Sequence, residues 1–198
     1  MNDTSSRITC NSYKRLLLTL LLLVLTCVTG PGNASGREAS IEDMFVTNSD
    51  SDLLLYLTVR DCFTKEMETG LHNGIPATFT FFVDLYQTRN AWPDRKIVSH
   101  VFNRTLTFDN LKEEYTIISS TNNNNATTQS LSRAKIRMSE LSDFSVVNLQ
   151  RLEADATYKL RVKVKLAKKT LPLYFHYLIP FSSLWDFETD WHIVQFNF

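Results

Sequence analysis

The feature that most constrains the fold is an alternation of apolar and polar residues with a period of two. Leu53, Leu55, Leu57 and Val59 interleave with Leu54, Tyr56, Thr58 and Arg60. Ala77, Phe79, Phe81, Val83 and Leu85 then share one face of a second segment, with Thr78, Thr80, Asp84 and Thr88 opposite. Successive side chains of a strand point to opposite sides of a sheet, so this pattern predicts strands with one buried face. Further strands are expected over 41–47, 96–106, 115–119, 144–149, 158–166 and 191–198. No long helical crossover separates them, so antiparallel pairing is expected.

Helical spacing interrupts the strands at two places. Asp61 is a candidate cap for a helix whose stripe is Phe63, Met67 and Leu71. Gly74 should end it in a left-handed conformation, just before the strand entry at Ile75 and Pro76. A second helix is expected over Leu131–Leu141, capped by Ser130, with Leu131, Ala134, Met138 and Leu141 inward. A third candidate starts at Pro172 and carries Leu173, Phe175, Leu178 and Ile179 before Pro180. Residues 119–130 contain four consecutive asparagines and read as a polar loop. The expected fold is mainly β: an antiparallel β-sandwich-like domain with two or three short packed helices.

The first 36 residues have the layout of a secretory leader. Lys14 and Arg15 precede the apolar run Leu16–Val28, and small residues follow at Gly32, Ala34 and Gly36. Thirteen apolar residues are fewer than the roughly 20 that a spanning helix needs. Cleavage is expected after Ala34 or Gly36; the competing readings are an uncleaved anchor from Tyr13 past Val28, or lipid attachment at Cys27. The expected organisation is residues 1–36 as signal peptide and 37–198 as one β-rich domain, exported to the periplasm or held at the inner membrane by Leu16–Val28.

Removing that leader takes away three cations and one acid. The remaining 162 residues carry 18 Lys and Arg against 20 Asp and Glu. Such a balance argues against nucleic acid as a partner. Of the three cysteines only Cys62 remains, which excludes an internal disulfide and points to a buried thiol.

The strongest surface signal is Lys159, Arg161, Lys163 and Lys165. Their spacing puts four cations on one side of a strand, while Leu160, Val162, Val164 and Leu166 face the core. One reading is a solvated outer face, whose lysines would also blunt an edge strand. The other is a surface for an anionic partner, either an envelope protein or anionic lipid. Trp185 and Trp191 bracket an acidic stretch that includes Glu188 and Asp190, a candidate recognition patch or a packed corner. Asp186, Glu188 and Asp190 could in principle hold a cation, though a solvated acidic loop is the plainer reading.

Catalytic arrangements do not assemble. His72, His100, His176 and His192 are scattered, with no metal-binding pair and no HExxH motif. Cys62 and His72 lie about 15 Å apart along one helix axis, too far for a dyad. No catalytic residue, metal ligand or cofactor is expected, and an enzyme is not.

Three segments carry a family resemblance: Gly70-Leu71-His72-Asn73-Gly74-Ile75-Pro76; Trp92-Pro93-Asp94 with Arg104–Tyr115 after it; and Leu171-Pro172 followed by Trp185 and Asp190-Trp191. With these the chain resembles, from about Ile41 to Phe196, the bacterial exported proteins grouped as domain of unknown function 4390. The resemblance implies a small secreted or membrane-tethered bacterial protein with no assigned catalytic residue. It also implies a setting beside sensor-kinase systems. The expected function is therefore a periplasmic protein-interaction module, with binding of lipid or another amphiphile as the alternative.

Overall fold

The computed structural model describes residues 38–121, 125–166 and 187–198. The leader, the third helix candidate and Trp185 lie outside them. The described residues form nine strands and two α-helices. In chain order these are β1 (Ser40–Asn48), β2 (Asp52–Arg60), α1 (Lys65–His72), β3 (Ala77–Gln87), β4 (Arg95–Asp109), β5 (Glu114–Ser119) and β6 (Asn125–Thr128). Then follow α2 (Leu131–Ser139), β7 (Glu140–Asn148), β8 (Thr157–Leu166) and β9 (His192–Asn197). All pairings are antiparallel, in a three-stranded sheet β1-β2-β7 and a six-stranded sheet β6-β5-β4-β3-β8-β9.

The alternation in the sequence decides which face of each sheet is covered. Leu53, Leu55, Leu57 and Val59 of β2, and Phe79, Phe81, Val83 and Leu85 of β3, are buried in one continuous core. Tyr158, Leu160, Val162, Val164 and Leu166 of β8 join them. Burying each such large side chain contributes on the order of 1.5–3 kcal/mol. Aromatic contacts tie the two sheets together: Phe81 stacks on Phe102 at 5.0 Å between centroids, and Phe102 on Phe144 of β7 at 4.7 Å. His100 of β4 also reaches across, its Nε2 lying 2.7 Å from the Val146 carbonyl oxygen. The architecture is a mainly β, sandwich-like pair of antiparallel sheets with helices packed against it.

The helices differ from expectation at their ends. Thr64, not Asp61, caps α1: its Oγ1 accepts from the Met67 N–H at 3.2 Å. Asp61 instead has φ +51°, in the turn that leaves β2. Two carboxylates, Glu66 and Glu68, fill the first turn of α1, where the helix dipole favours them. The exit is as expected. Gly74 has φ +80°, its N–H donates to the Leu71 carbonyl at 3.0 Å, and the Ile75 N–H donates to the Gly70 carbonyl at 2.9 Å. This pair of bonds is the Schellman closure of a helix.

Ser130 caps α2 as expected, accepting from the Arg133 N–H at 3.4 Å. The helix stops two residues early, however, because Glu140 and Leu141 already pair with Thr58 and Leu57 of β2. Leu141 is buried, but as part of a strand. Arg104 of β4 fixes the junction, donating to the carbonyl oxygens of Arg137, at 3.0 Å, and Glu140. The polar segment 119–130 is likewise not wholly a loop. Asn125–Thr128 forms β6, which pairs with Tyr115–Ile118 of β5.

Candidate functional site

Strand β8 presents Lys159, Arg161, Lys163 and Lys165 along the outer face of the six-stranded sheet, as the period of two requires. The strand is not an edge, because β3 lies on one side of it and β9 on the other. The register sets the neighbours of each cation. On β3, Tyr86 faces Lys159, Asp84 faces Arg161, Phe82 faces Lys163 and Thr80 faces Lys165. On β9, Gln195 faces Lys159 and Ile193 faces Arg161.

Asp84 is the anchor of this face. It is only 6% exposed despite pointing away from the core. Ser99 Oγ donates to it at 2.5 Å, Arg161 donates through Nε at 3.1 Å and a terminal nitrogen at 2.8 Å, and Lys96 Nζ lies at 3.3 Å. Burial alone would raise the Asp84 pKa. The hydrogen bonds from Ser99, Arg161 and Lys96 outweigh it and hold the carboxyl below its ordinary value. Arg161 is thereby fixed in place. It also donates to Tyr86 Oη at 2.7 Å, and its guanidinium carbon lies 4.7 Å from the Tyr86 ring centre and 4.4 Å from that of Trp191. A flat, weakly hydrated cation between two aromatic faces is a favourable arrangement.

The lower end of the ladder is built by residues 187–189. The Leu166 N–H donates to the Phe187 carbonyl and the Thr189 N–H to the Val164 carbonyl, both at 2.9 Å. Buried Thr189 also accepts from the Val164 N–H through Oγ1 at 3.0 Å. This pins Glu188 over β8, where it pairs with Lys163 and, at 2.8 Å, with Lys165. Hydrogen bonds from Lys163 and then Lys165 lower the Glu188 pKa to about 2. At the upper end Lys159 pairs with Asp94 at 3.1 Å.

Among the described residues the ladder is thus an ion-paired surface, with five cations (Lys96, Lys159, Arg161, Lys163, Lys165) against three carboxylates (Asp84, Asp94, Glu188). Trp191 lies on it, 38% exposed, with exposed Asp190 before it. Exposed Ile193 and Val101 extend the apolar part of the same face. Beside Trp191 is an open hollow of about 250 Å³, lined by Glu38, Ser40, Ile41, Asp190 and His192 among others.

The structure therefore brings Trp191 onto the cation ladder, a link that sequence spacing did not show. Counter-ion roles for Asp84, Asp94 and Glu188 were also missed. Asp84 did leave a signal, as a lone carboxylate inside the apolar run Phe81-Phe82-Val83-Asp84-Leu85.

Cys62 and His72 have structural partners. Cys62 is buried and donates to the Val59 carbonyl at 3.4 Å; burial pushes its thiol pKa up to about 12. His72 Nε2 lies 2.7 Å from Tyr115 Oη. Among the described residues no group of three or more His, Cys, Asp or Glu is arranged to hold a metal ion. None of their helices is long and apolar enough to cross a membrane.

Fold and surface together define a β-sandwich-like domain whose most organised outer feature is a cation–aromatic ladder. The chain belongs to the family described as domain of unknown function (DUF4390), whose model matches residues 36–195. No curated protein and no solved structure matches it.

Proposed function

We propose that this is an exported protein-interaction module, and that it docks an acidic segment of another envelope protein on the outer face of β8 and β9. One observation carries the reading: Trp191 lies half-exposed against Arg161 and Lys163, on a face where, among the described residues, five cations share three carboxylates. A rigid aromatic beside a preorganised arginine is the composition of a binding hot spot. Export rests on the basic pair Lys14-Arg15 followed by the apolar run Leu16–Val28. The setting implied by the family resemblance puts the sensor part of a signalling system among the candidate partners.

A protein partner is favoured over an amphiphile by how the interior is used. Phe81, Phe102 and Phe144 pack on one another, and Phe187 and Phe196 lie against Phe79 and Tyr158. These rings are engaged with one another and with the core cluster.

The test is crosslinking in the native envelope, from a photoreactive residue at Val101, with wild type and a Lys163→Gln/Lys165→Gln/Trp191→Ala variant compared. Loss of one defined adduct in the variant, with its melting temperature maintained, is the expected result. An adduct pattern unchanged by these substitutions overturns the proposal. Equal loss of binding to vesicles containing anionic lipid, with no protein adduct in either sample, would assign the surface to lipid instead.

A further inference from the structure

Among the described residues the two sheets have four edges, β1, β7, β6 and β9. An edge strand exposes unpaired backbone groups, and proteins normally blunt it with bulges, charges or shortness. Three of these four are blunted. In β1 the register shifts between Glu42 and Phe45, where Asp43 has φ +52°. In β7 the pairing shifts twice against β2, and Asp143 has φ +55°. One bulge in each of these strands carries an acid. β6 is only four residues long.

β9 has none of these devices. Its six residues, His192-Ile193-Val194-Gln195-Phe196-Asn197, contain no Lys, Arg, Asp, Glu or Pro. They pair with β8 from His192 to Asn197 without a register shift. The strand is also apolar where it meets the core: Val194, Phe196 and Phe198 are only partly buried, although Phe196 and Phe198 pack on the core cluster. Among the described residues no strand lies beyond it. An uncharged edge strand with no proline and no register shift is suited to accept another strand.

We propose that the occupant is a second copy of this chain, with the two β9 strands pairing antiparallel about a twofold axis at Gln195. Self-pairing of one edge is isologous, so it closes at a dimer and hides the edge for good. The twofold axis runs through the sheet, so each sandwich keeps its core on the same side. Centring on Gln195 then sets Val194 against the partner's Phe196 and Phe198 against the partner's His192, completing the cover that each copy lacks. On the outer face Gln195 meets the partner's Gln195, and Ile193 meets the partner's Asn197. No like charges are opposed within the strand pair, which is what such a pairing needs. The product is one twelve-stranded sheet.

The test uses two differently tagged full-length copies expressed together from Met1. The wild-type pair should co-purify, and light scattering should give the mass of two chains. Gln195→Lys on both copies opposes like charges at the axis and should lower co-purification about fivefold or more. Gln195→Lys on one copy with Gln195→Glu on the other should restore it, which also shows that both variants fold. Thr127→Lys, on the exposed β6 edge, should leave it unchanged. Failure of wild-type copies to co-purify, whether or not a different protein's strand occupies β9, overturns the proposal. So does a complex larger than two chains, or one indifferent to the charge at Gln195.

Discussion

Asp84→Ala is the substitution that most directly tests how the outer face is built. The wild-type carboxylate accepts from Ser99, twice from Arg161 and once from Lys96, while its own side chain is 8% accessible. Hydrogen bonds to a charged group contribute roughly 1.5–3 kcal/mol. The Arg161 side chain is 34% accessible, so water screens that ion pair and its Coulomb part adds little. The expected loss is therefore about 2–3 kcal/mol at pH 7. For a domain of this size each kcal/mol lowers the melting temperature by about 2–4 °C, which makes the expected fall about 4–12 °C.

The effect also has a signature in pH. Burial raises the Asp84 pKa, and the hydrogen bonds from Ser99, Arg161 and Lys96 more than reverse this. The folded pKa thus lies below the unfolded value of about 3.9. A carboxylate of this kind stabilises fully above the unfolded value, and its contribution is lost as pH falls through the folded one. The difference between wild type and Asp84→Ala should be constant from pH 8 to about 5 and shrink below about 4. Thermal melts followed by circular dichroism across that range measure it. Equal melting temperatures at pH 7, or a difference that persists undiminished at pH 2, would refute the account.

Two further outcomes follow from local geometry. Gly74→Ala should lower stability by about 1 kcal/mol, or about 2–4 °C, although no atom lies within 4 Å of the added Cβ. The cost is that of φ +80° alone, so an unchanged melting temperature would contradict the helix closure at Gly74. Cys62 should resist iodoacetamide at pH 8 until denaturant is added, because its thiol is buried with a pKa of about 12. Peptide mass spectrometry distinguishes it from Cys10 and Cys27, and native labelling at Cys62 would overturn its placement.

What could be read from the sequence was whatever repeats along the chain. The strands β2, β3 and β8 follow from alternation alone, because a single sheet face needs every second residue. The helix ends were harder. Asp61 and Thr64 are both good caps, and only the turn out of β2 decides between them by putting Asp61 at positive φ. Leu141 fits the helical stripe of α2, yet its pairing with Leu57 claims it for β7. β6 was invisible because Asn125-Ala126-Thr127-Thr128 has no apolar period; its partner β5 makes it a strand. The candidate site was legible in the same measure. The four cations of β8 lie on one strand and show in its spacing. Asp84, Asp94, Glu188 and Trp191 reach them from other segments, and register across strands leaves no mark in a single sequence.

The pairing of the ladder bears on how a partner could use it. Cations already matched by carboxylates are poor long-range attractors, so the surface should not bind polyanions indiscriminately. It differs from a solvated lysine face in its preorganisation. Asp84 holds Arg161 flat between Tyr86 and Trp191, and Glu188 holds Lys163 and Lys165 together from a backbone pinned by Thr189. Exposed ion pairs contribute little net stability. A partner carboxylate could therefore replace that of Glu188 at small cost and gain apolar contact with Trp191 and Ile193. Binding by exchange of this kind depends on shape at the tryptophan as much as on charge. On this reasoning Trp191→Ala should weaken partner binding more than Lys165→Gln does. The reverse order, measured as the yield of the envelope adduct, would mean that charge alone drives the contact.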